Sequence, residues 1–556
     1  MASGGRRVVA AGAVLAGLAA AVVGQEVEPS TGPAPAQQSA PYSPWIEPAS
    51  GEPAAVLTRL AAAEGLAVSL FAAEPLLANP VCLAIDERGD VYVGETFRHH
   101  AGVTDIREHT DWLEDDLACR TVEDRVALLQ KWTGADFASW GREHERIRRL
   151  RDVDGDGVAD EATVWADGFN APEAGIGAGL LARAGAVYYT CIPDLWRLRD
   201  ADDDGRADER TKLSTGYGVR ITFLGHDLHG LRLGPDGRLY FSIGDRGFVV
   251  KTPDGVLDHF DTGAVLRCEL DGSALELVHT GLRNPQELAF DDWGDLFTGD
   301  NNGDGGDAAR IVRVLEGADS GWRHPVQWLP RRGPWMDERL WEPAFDGQAA
   351  YIVPPIANLA SGPSGLTSEP GGAFGTDWAG RFLMCDFTGD PGSSSVLWFA
   401  LQRQGASFAL GVTGSVLSGL QATDCDFGPD GALYVSDWVE GWSQTGKGRV
   451  WRVARADDDG EPGAGGARNA LSEWTRILLA EGMAGREVAD LRELLFHPDR
   501  RVRMEAQLEL AGRGDSGLDA LERAARGLAV PRGGLGAERP ELPRLARLHG
   551  IWGLGL

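Results

Sequence analysis

Positive charge is in short supply: 53 Lys+Arg stand against 83 Asp+Glu, leaving a formal charge of −30 over 556 residues. A phosphate backbone or an anionic lipid surface needs clustered cations, so no nucleic-acid partner is expected and acidic membrane surfaces are disfavoured. Methionine is also scarce, at 5 residues, whereas there are 75 Gly and 18 Trp. That balance suits short strands joined by tight turns better than a helical bundle. No Cys-x-x-Cys-His segment occurs, so this chain carries no covalent haem of its own. The apolar run from Val8 to Val23 falls short of a membrane span. Lying between Arg6-Arg7 and the small residues around Gly24, it reads as an export signal over residues 1–24, the alternative being a retained N-terminal anchor.

Export to the periplasm or the extracellular space permits disulfides among Cys82, Cys119, Cys191, Cys268, Cys385 and Cys425 without choosing a pairing. Residues 25–56 are rich in Pro and small polar residues and read as an extended linker. From residue 57 to 455 the texture changes and repeats. An apolar segment, a turn centred on Gly and a second alternating strand recur six times, with the turn glycines at Gly89, Gly185, Gly237, Gly294, Gly380 and Gly431. Their spacing is that of one blade, or one blade with an insertion. The pattern predicts an all-β six-bladed propeller, with a pair of β-sandwiches as the alternative. A charged, helix-patterned insertion spans roughly 98–145. An acidic, Gly-rich linker follows at 456–470, and residues 471–556 carry helical stripes such as Leu491/Leu494/Leu495 and Val502/Ala506/Leu510, with Asp499 placed as an N-cap. These helices resemble the start of a HEAT-like solenoid, and the chain is expected to be a fragment of something longer.

The sharpest local motif occurs twice. RDVDGDGVADE and RDADDDGRADE place Asp152, Asp154, Asp156 and Asp160, then Asp200, Asp202, Asp204 and Asp208, at alternate positions around a Gly turn. Crowded hard oxygens of this kind are what Ca²⁺ coordination needs, although Thr163 and Thr211 stand where an EF-hand has its closing Glu. The alternative is a solvated acidic hairpin. A second pattern lies six residues beyond each turn Gly, where Glu95, Cys191, Ile243, Asp300, Asp386 and Asp437 stand, with Asp245 close by. Equivalent propeller positions form a ring, so these acids either surround a metal or cationic group at a channel mouth or simply end their strands.

GHDLHGLRLGPDG, with His226 eight residues before Gly234, and GLRNPQELAF, with Arg283, Asn284, Pro285 and Gln286, together resemble the signatures of soluble PQQ-dependent glucose/sorbosone dehydrogenases over roughly residues 75–455. Gly303-Asp304-Gly305-Gly306-Asp307 corresponds loosely to that family's Gly-rich calcium loop. The resemblance implies PQQ as cofactor, calcium, a sugar or other alcohol as substrate, His226 as general base, and Arg283, Asn284 and Gln286 as cofactor contacts. Two departures stand out: Gly225 replaces an acid before the His, and Gln421 and Thr423 replace two arginines that neutralise the quinone carboxylates. Taken whole, the chain resembles exported PVC-type "membrane-bound dehydrogenase domain" and haem-binding CxxCH proteins, which implies a c-type cytochrome as electron acceptor.

Imidazole titrates in the range a hydroxyl-abstracting base requires, which makes His226 the catalytic candidate. His229, Arg220, Arg246 and Arg98 are secondary candidates. Two other classes compete: a lactonase-like hydrolase using a metal held by Glu95, Asp300, Asp386 and Asp437, and a non-catalytic carbohydrate- or protein-binding propeller.

Overall fold

In a computed structural model, residues 42–304, 307–323, 352–456, 470–529 and 539–556 are described, with a few positions between 335 and 345. The expected export signal, most of the 25–56 linker and nearly all of the 456–470 linker lie outside the described residues. Pro44–Leu556 is one compact unit. The linker expectation reaches too far at its C-terminal end. Glu52–Leu57 is a short helix opened by Pro53, with Val56 buried and Glu52 paired to Arg449 and Lys447 at 2.9 and 2.8 Å.

Six sheets form the six blades of a propeller. Their innermost strands are Pro80–Ile85, Gly177–Arg183, Leu228–Leu233, Pro285–Phe290, Pro363–Ser368 and Ala422–Phe427. Each pairs antiparallel with a second strand ending at Glu95, Cys191, Ile243, Asp300, Asp386 or Asp437. All six turn glycines between these strands have positive φ, from 73° at Gly185 and Gly237 to 98° at Gly89, a region in which a side chain is strained. The ring closes through Leu66–Ala73, which adds to the last blade as its outer strand, from Leu66 opposite Arg455 to Ala73 opposite Arg449. Closure removes the exposed sheet edges that an open array would present.

The apolar face of each blade packs on the next. Leu383, Cys385, Val435 and Trp451 bury the junction of blades five and six, and Phe297, Phe382, Met384 and Phe399 that of blades four and five. Each such side chain contributes roughly 1.5–3 kcal/mol by leaving water. All six cysteines are buried free thiols.

Helices Ala470–Glu481, Val488–Leu494, Arg500–Ala511, Gly514–Ala525 and Leu542–Leu554 share a core containing Leu491, Leu494, Val502, Ala506 and Leu510. Asp499 caps the third of them, accepting from the Arg501 amide at 2.8 Å. This layer covers the propeller face made by the turns between first and second strands. Arg503, fully buried, pairs with Asp292 at 2.5 Å and donates to the carbonyls of His497 and Pro498. Gln507 donates to the Pro235 carbonyl, Arg501 to those of Phe427 and Gly428, and Arg183 pairs with Glu505. The opposite face, where inner strands begin, is left to the loops. Among the described residues, no helix is long and apolar enough to cross a membrane.

Candidate functional site

On that open face lies a cavity of about 590 Å³, lined by residues from every blade. Its position follows from the strand directions. Arg283 and Asn284 stand just before an inner strand, and the loops after the second strands descend on the same end. The acids at the ends of the second strands hold these loops together. Asp300 accepts the backbone amides of Arg283 and Asn284 at 2.9 and 2.8 Å. Asp386 accepts those of Ser361 and Gly362, Asp437 those of Gln421 and Val439, and Glu95 that of Ala78. Glu95 also pairs with Arg146, Asp300 with Arg310, and Asp437 accepts from the Trp451 indole. The ring acids are therefore engaged within their own blades. Among the described residues they form no group of ligand oxygens close enough to share one cation, so their arrangement does not support the metal-hydrolase expectation.

His226, Arg283, Asn284 and Gln286 all line the cavity. His226 Nδ1 lies 2.7 Å from Asp245 Oδ1, both residues being almost wholly buried. Asp245 Oδ2 accepts from the Trp322 indole at 3.0 Å, and its backbone amide donates to the Arg283 carbonyl at 2.7 Å. Burial would raise the Asp245 pKa, but His226, Arg283 and Trp322 overcome it and hold the carboxyl below its ordinary range. A carboxylate on Nδ1 leaves Nε2 as the nitrogen that can serve the cavity. Gly244 lets this dyad close up, because a Cβ there would stand 2.8 Å from both Asn284 Oδ1 and the His226 carbonyl.

Arg283 pairs with Asp304 at 2.6 Å, and its guanidinium lies 5.0 Å from the Phe223 ring centre. Arg107, delivered by the insertion, lies 4.2 Å from the centre of the same ring and is held by Asp105 through two bonds of 2.9 and 2.8 Å. Among the described residues, five buried polar atoms on cavity-lining side chains have no hydrogen-bond partner: His99 Nδ1, Arg283 Nη1, Asn284 Oδ1, Glu287 Oε2 and Trp438 Nε1. Buried polar atoms are normally satisfied, so these atoms offer a ligand in the cavity unmet hydrogen-bonding capacity.

The lining also includes Glu287 and Asp424, on inner strands of different blades. Burial pushes the Asp424 carboxyl up to about 7 and that of Glu287 well above its usual range. Arg232, paired with Asp426 at 3.1 Å and with Glu287 at 3.4 Å, only partly opposes this.

The secondary candidates resolve differently. His229 lines the cavity, but burial lowers its pKa to about 4 and its Nε2 bonds the Gly225 carbonyl, so it is neutral. Arg98 is a buried clasp for loop carbonyls, including those of Trp140, Gly102 and Ala174. Arg246 is consumed by Asp227 at 2.8 Å, and Arg220 donates to the Leu117 carbonyl. Gln421 donates to the Gly441 carbonyl and Thr423 to that of Pro80. Arg107, Trp438 and Trp442 escaped sequence reasoning because they sit in insertions and loops with no repeat to align them. Gly305 and Gly306 of the expected calcium loop lie outside the described residues.

The two aspartate loops occupy the other end of the blades, between third and fourth strands. Asp152, Asp154 and Asp156 each offer an oxygen within 4.8 Å of the others, as do Asp200, Asp202 and Asp204. Asp160 and Asp208 instead brace the loops, accepting the amides of Val153 and Ala201. Each loop is stitched to the neighbouring blade, Ala159 N to the Phe71 carbonyl and Ala207 N to that of Trp165.

The family described as "Domain of unknown function (DUF7133)" matches residues 52–445. No curated protein matches the sequence. Solved structures with a similar fold include a Thermus thermophilus protein assigned as an oxidoreductase (glucose dehydrogenase), at 18% identity and TM-score 0.44 over 70% of this chain and 100% of that one. The PQQ-bound aldose sugar dehydrogenase of Streptomyces coelicolor aligns at 17% identity and TM-score 0.42, covering 71% and 99%. The soluble aldose sugar dehydrogenase of Escherichia coli, in its apo form, aligns at 16% and 0.42, covering 70% and 99%. These likenesses concern the fold alone.

Proposed function

The chain belongs to the family described as a domain of unknown function, DUF7133, and from that premise we propose that its cavity oxidises a sugar or related alcohol with a quinone-type cofactor. The observation that carries this reading is the buried His226–Asp245 pair opening on a cavity shared with Arg283 and Asn284. Nδ1–H of His226 is donated to the Asp245 carboxylate, so Nε2 is free to take the proton of a substrate hydroxyl. Asp245, ionised and desolvated, then stabilises the imidazolium that forms.

Pyrroloquinoline quinone fits the residues present. The charge missing at Gln421 and Thr423 is supplied by Arg107 and Arg283, which share the Phe223 ring, and Arg283 Nη1 and Asn284 Oδ1 are unsatisfied. When bound, the quinone supplies an acceptor for two electrons from the substrate carbon. Arg107 and Arg283 would hold its carboxylates, and Asn284 and Gln286 would orient it against His226.

The aspartate loops are proposed as structural calcium sites, since their carboxylates crowd together while the loops tie blades to one another. Export and electron transfer to a c-type cytochrome complete the proposal. The test is dye-linked oxidation of a sugar and alcohol panel by the full chain supplied with PQQ and Ca²⁺. Turnover is expected, and His226→Ala should reduce it about 10²–10⁴-fold. No turnover over the whole panel, or a His226→Ala variant as active as the parent, would overturn the dehydrogenase reading in favour of a non-catalytic binding propeller.

A further inference from the structure

One part of the cavity wall is built in an unusual way. Trp438 and Trp442 both line it, in the loop that follows the second strand of the last blade. Trp438 is buried with its indole N–H unpaired, and His99 packs on its ring at 5.7 Å. Trp442 is 63% exposed, which is uncommon for so large an apolar surface. Its indole is not loosely placed. It meets Phe387 edge-on at 5.2 Å and lies against Gly389, where a Cβ would stand 2.2 Å from the indole nitrogen.

Backbone strain accompanies these aromatics. Val439, directly after Trp438, has φ of 82°, and Thr222, directly before Phe223, has φ of 42°. A β-branched residue in the left-handed region is held there only at a cost of about 1–3 kcal/mol, and such strain gathers at ligand sites. Alongside the tryptophans the lining offers hydroxyls and amides, among them Asn301, Ser361, Ser364, Thr388 and Ser393. A surface of flat indoles accompanied by neutral hydrogen-bonding groups suits a ligand with apolar C–H faces and many hydroxyls.

We propose that Trp438 and Trp442 form a two-step carbohydrate platform, so that the substrate is the end of an oligosaccharide rather than a free monosaccharide. One ring lies within the cavity beside Trp438, whose N–H takes a ring hydroxyl, and the next lies on exposed Trp442 at the mouth. This deepens, and rests on, the reading of the cavity as a sugar site.

The test uses the full chain in calorimetric titrations with D-glucose and with cellotetraose, maltotetraose and xylotetraose. At least one tetrasaccharide should bind more tightly than glucose, and Trp442→Ala should weaken that binding about five- to tenfold while narrowing its advantage over glucose. Trp442→Phe should recover most of the loss, and an unchanged melting curve for both variants would show that the fold is intact. Equal affinity of parent and Trp442→Ala for every tetrasaccharide, or no tetrasaccharide binding, would overturn the platform. Oxidation is scored separately. A chain that binds tetrasaccharides through Trp442 but oxidises nothing keeps the platform and loses the dehydrogenase, whereas one that oxidises glucose without regard to chain length does the reverse.

Discussion

The Asp245 carboxylate stands 2.7 Å from Nδ1 of His226, with Asp245 almost wholly buried and the imidazole at the wall of the cavity. A buried carboxylate in that position fixes the ring's orientation and its Nδ1–H tautomer, so Asp245→Asn should lower turnover about 10²-fold and, by removing a titrating carboxyl, change the pH profile. Asp245 is held below its ordinary pKa, so its stabilising contribution is present above the unfolded value of about 4 and is lost as pH falls through its lower folded value. An Asp245→Asn enzyme with unaltered rate and profile would remove the dyad from the mechanism.

Arg107 predicts a salt-sensitive contribution to anion binding. Fluorescence titration with PQQ should show Arg107→Ala weaker by about tenfold at low salt, the gap shrinking as ionic strength rises, because half-exposed charges are screened. Equal affinities at low salt would leave the quinone carboxylates without this partner.

Calcium should be visible in stability. Excess Ca²⁺ at about one hundred times Kd stabilises a native-only site by about 2.7 kcal/mol, so a chelator should lower the melting temperature. Asp154→Asn combined with Asp202→Asn, one acid from each cluster, should abolish that chelator response. A melting curve indifferent to chelator counts against both sites.

Asp424 makes a pH prediction with the opposite sign to Asp245. Its folded pKa of about 7 exceeds the unfolded value of about 4, so its contribution is fully present below about 4 and is lost as pH rises through 7. Whatever its stability at low pH, Asp424→Asn should gain melting temperature relative to the parent between about pH 5 and pH 8. A constant difference across that range would mean that the carboxyl ionises normally.

Much of this was legible locally. The six turn glycines mark hairpins because only a positive φ closes them, and the six positions are all positive in the structure. The His226 and Arg283-Asn284 segments could be matched because each is a short run beside a strand start. The aspartate loops showed in the sequence for the same reason, though it could not tell that Asp160 and Asp208 accept backbone amides of their own loops. The ring acids were found by their register, but register does not say what a carboxylate faces.

What the sequence by itself determined, then, was the repeating hairpin and the residues attached rigidly to it. The tertiary structure decided what met across the ring: Leu66–Ala73 closing on Arg449–Arg455, Arg107 reaching the ring of Phe223, Trp442 seated on Gly389, and the helices covering the face opposite the cavity. The physical reason is that a strand's pattern follows from neighbours one or two residues away, whereas a loop's partner depends on the rotation between blades, which is set only when all six cores have packed and the circle is closed.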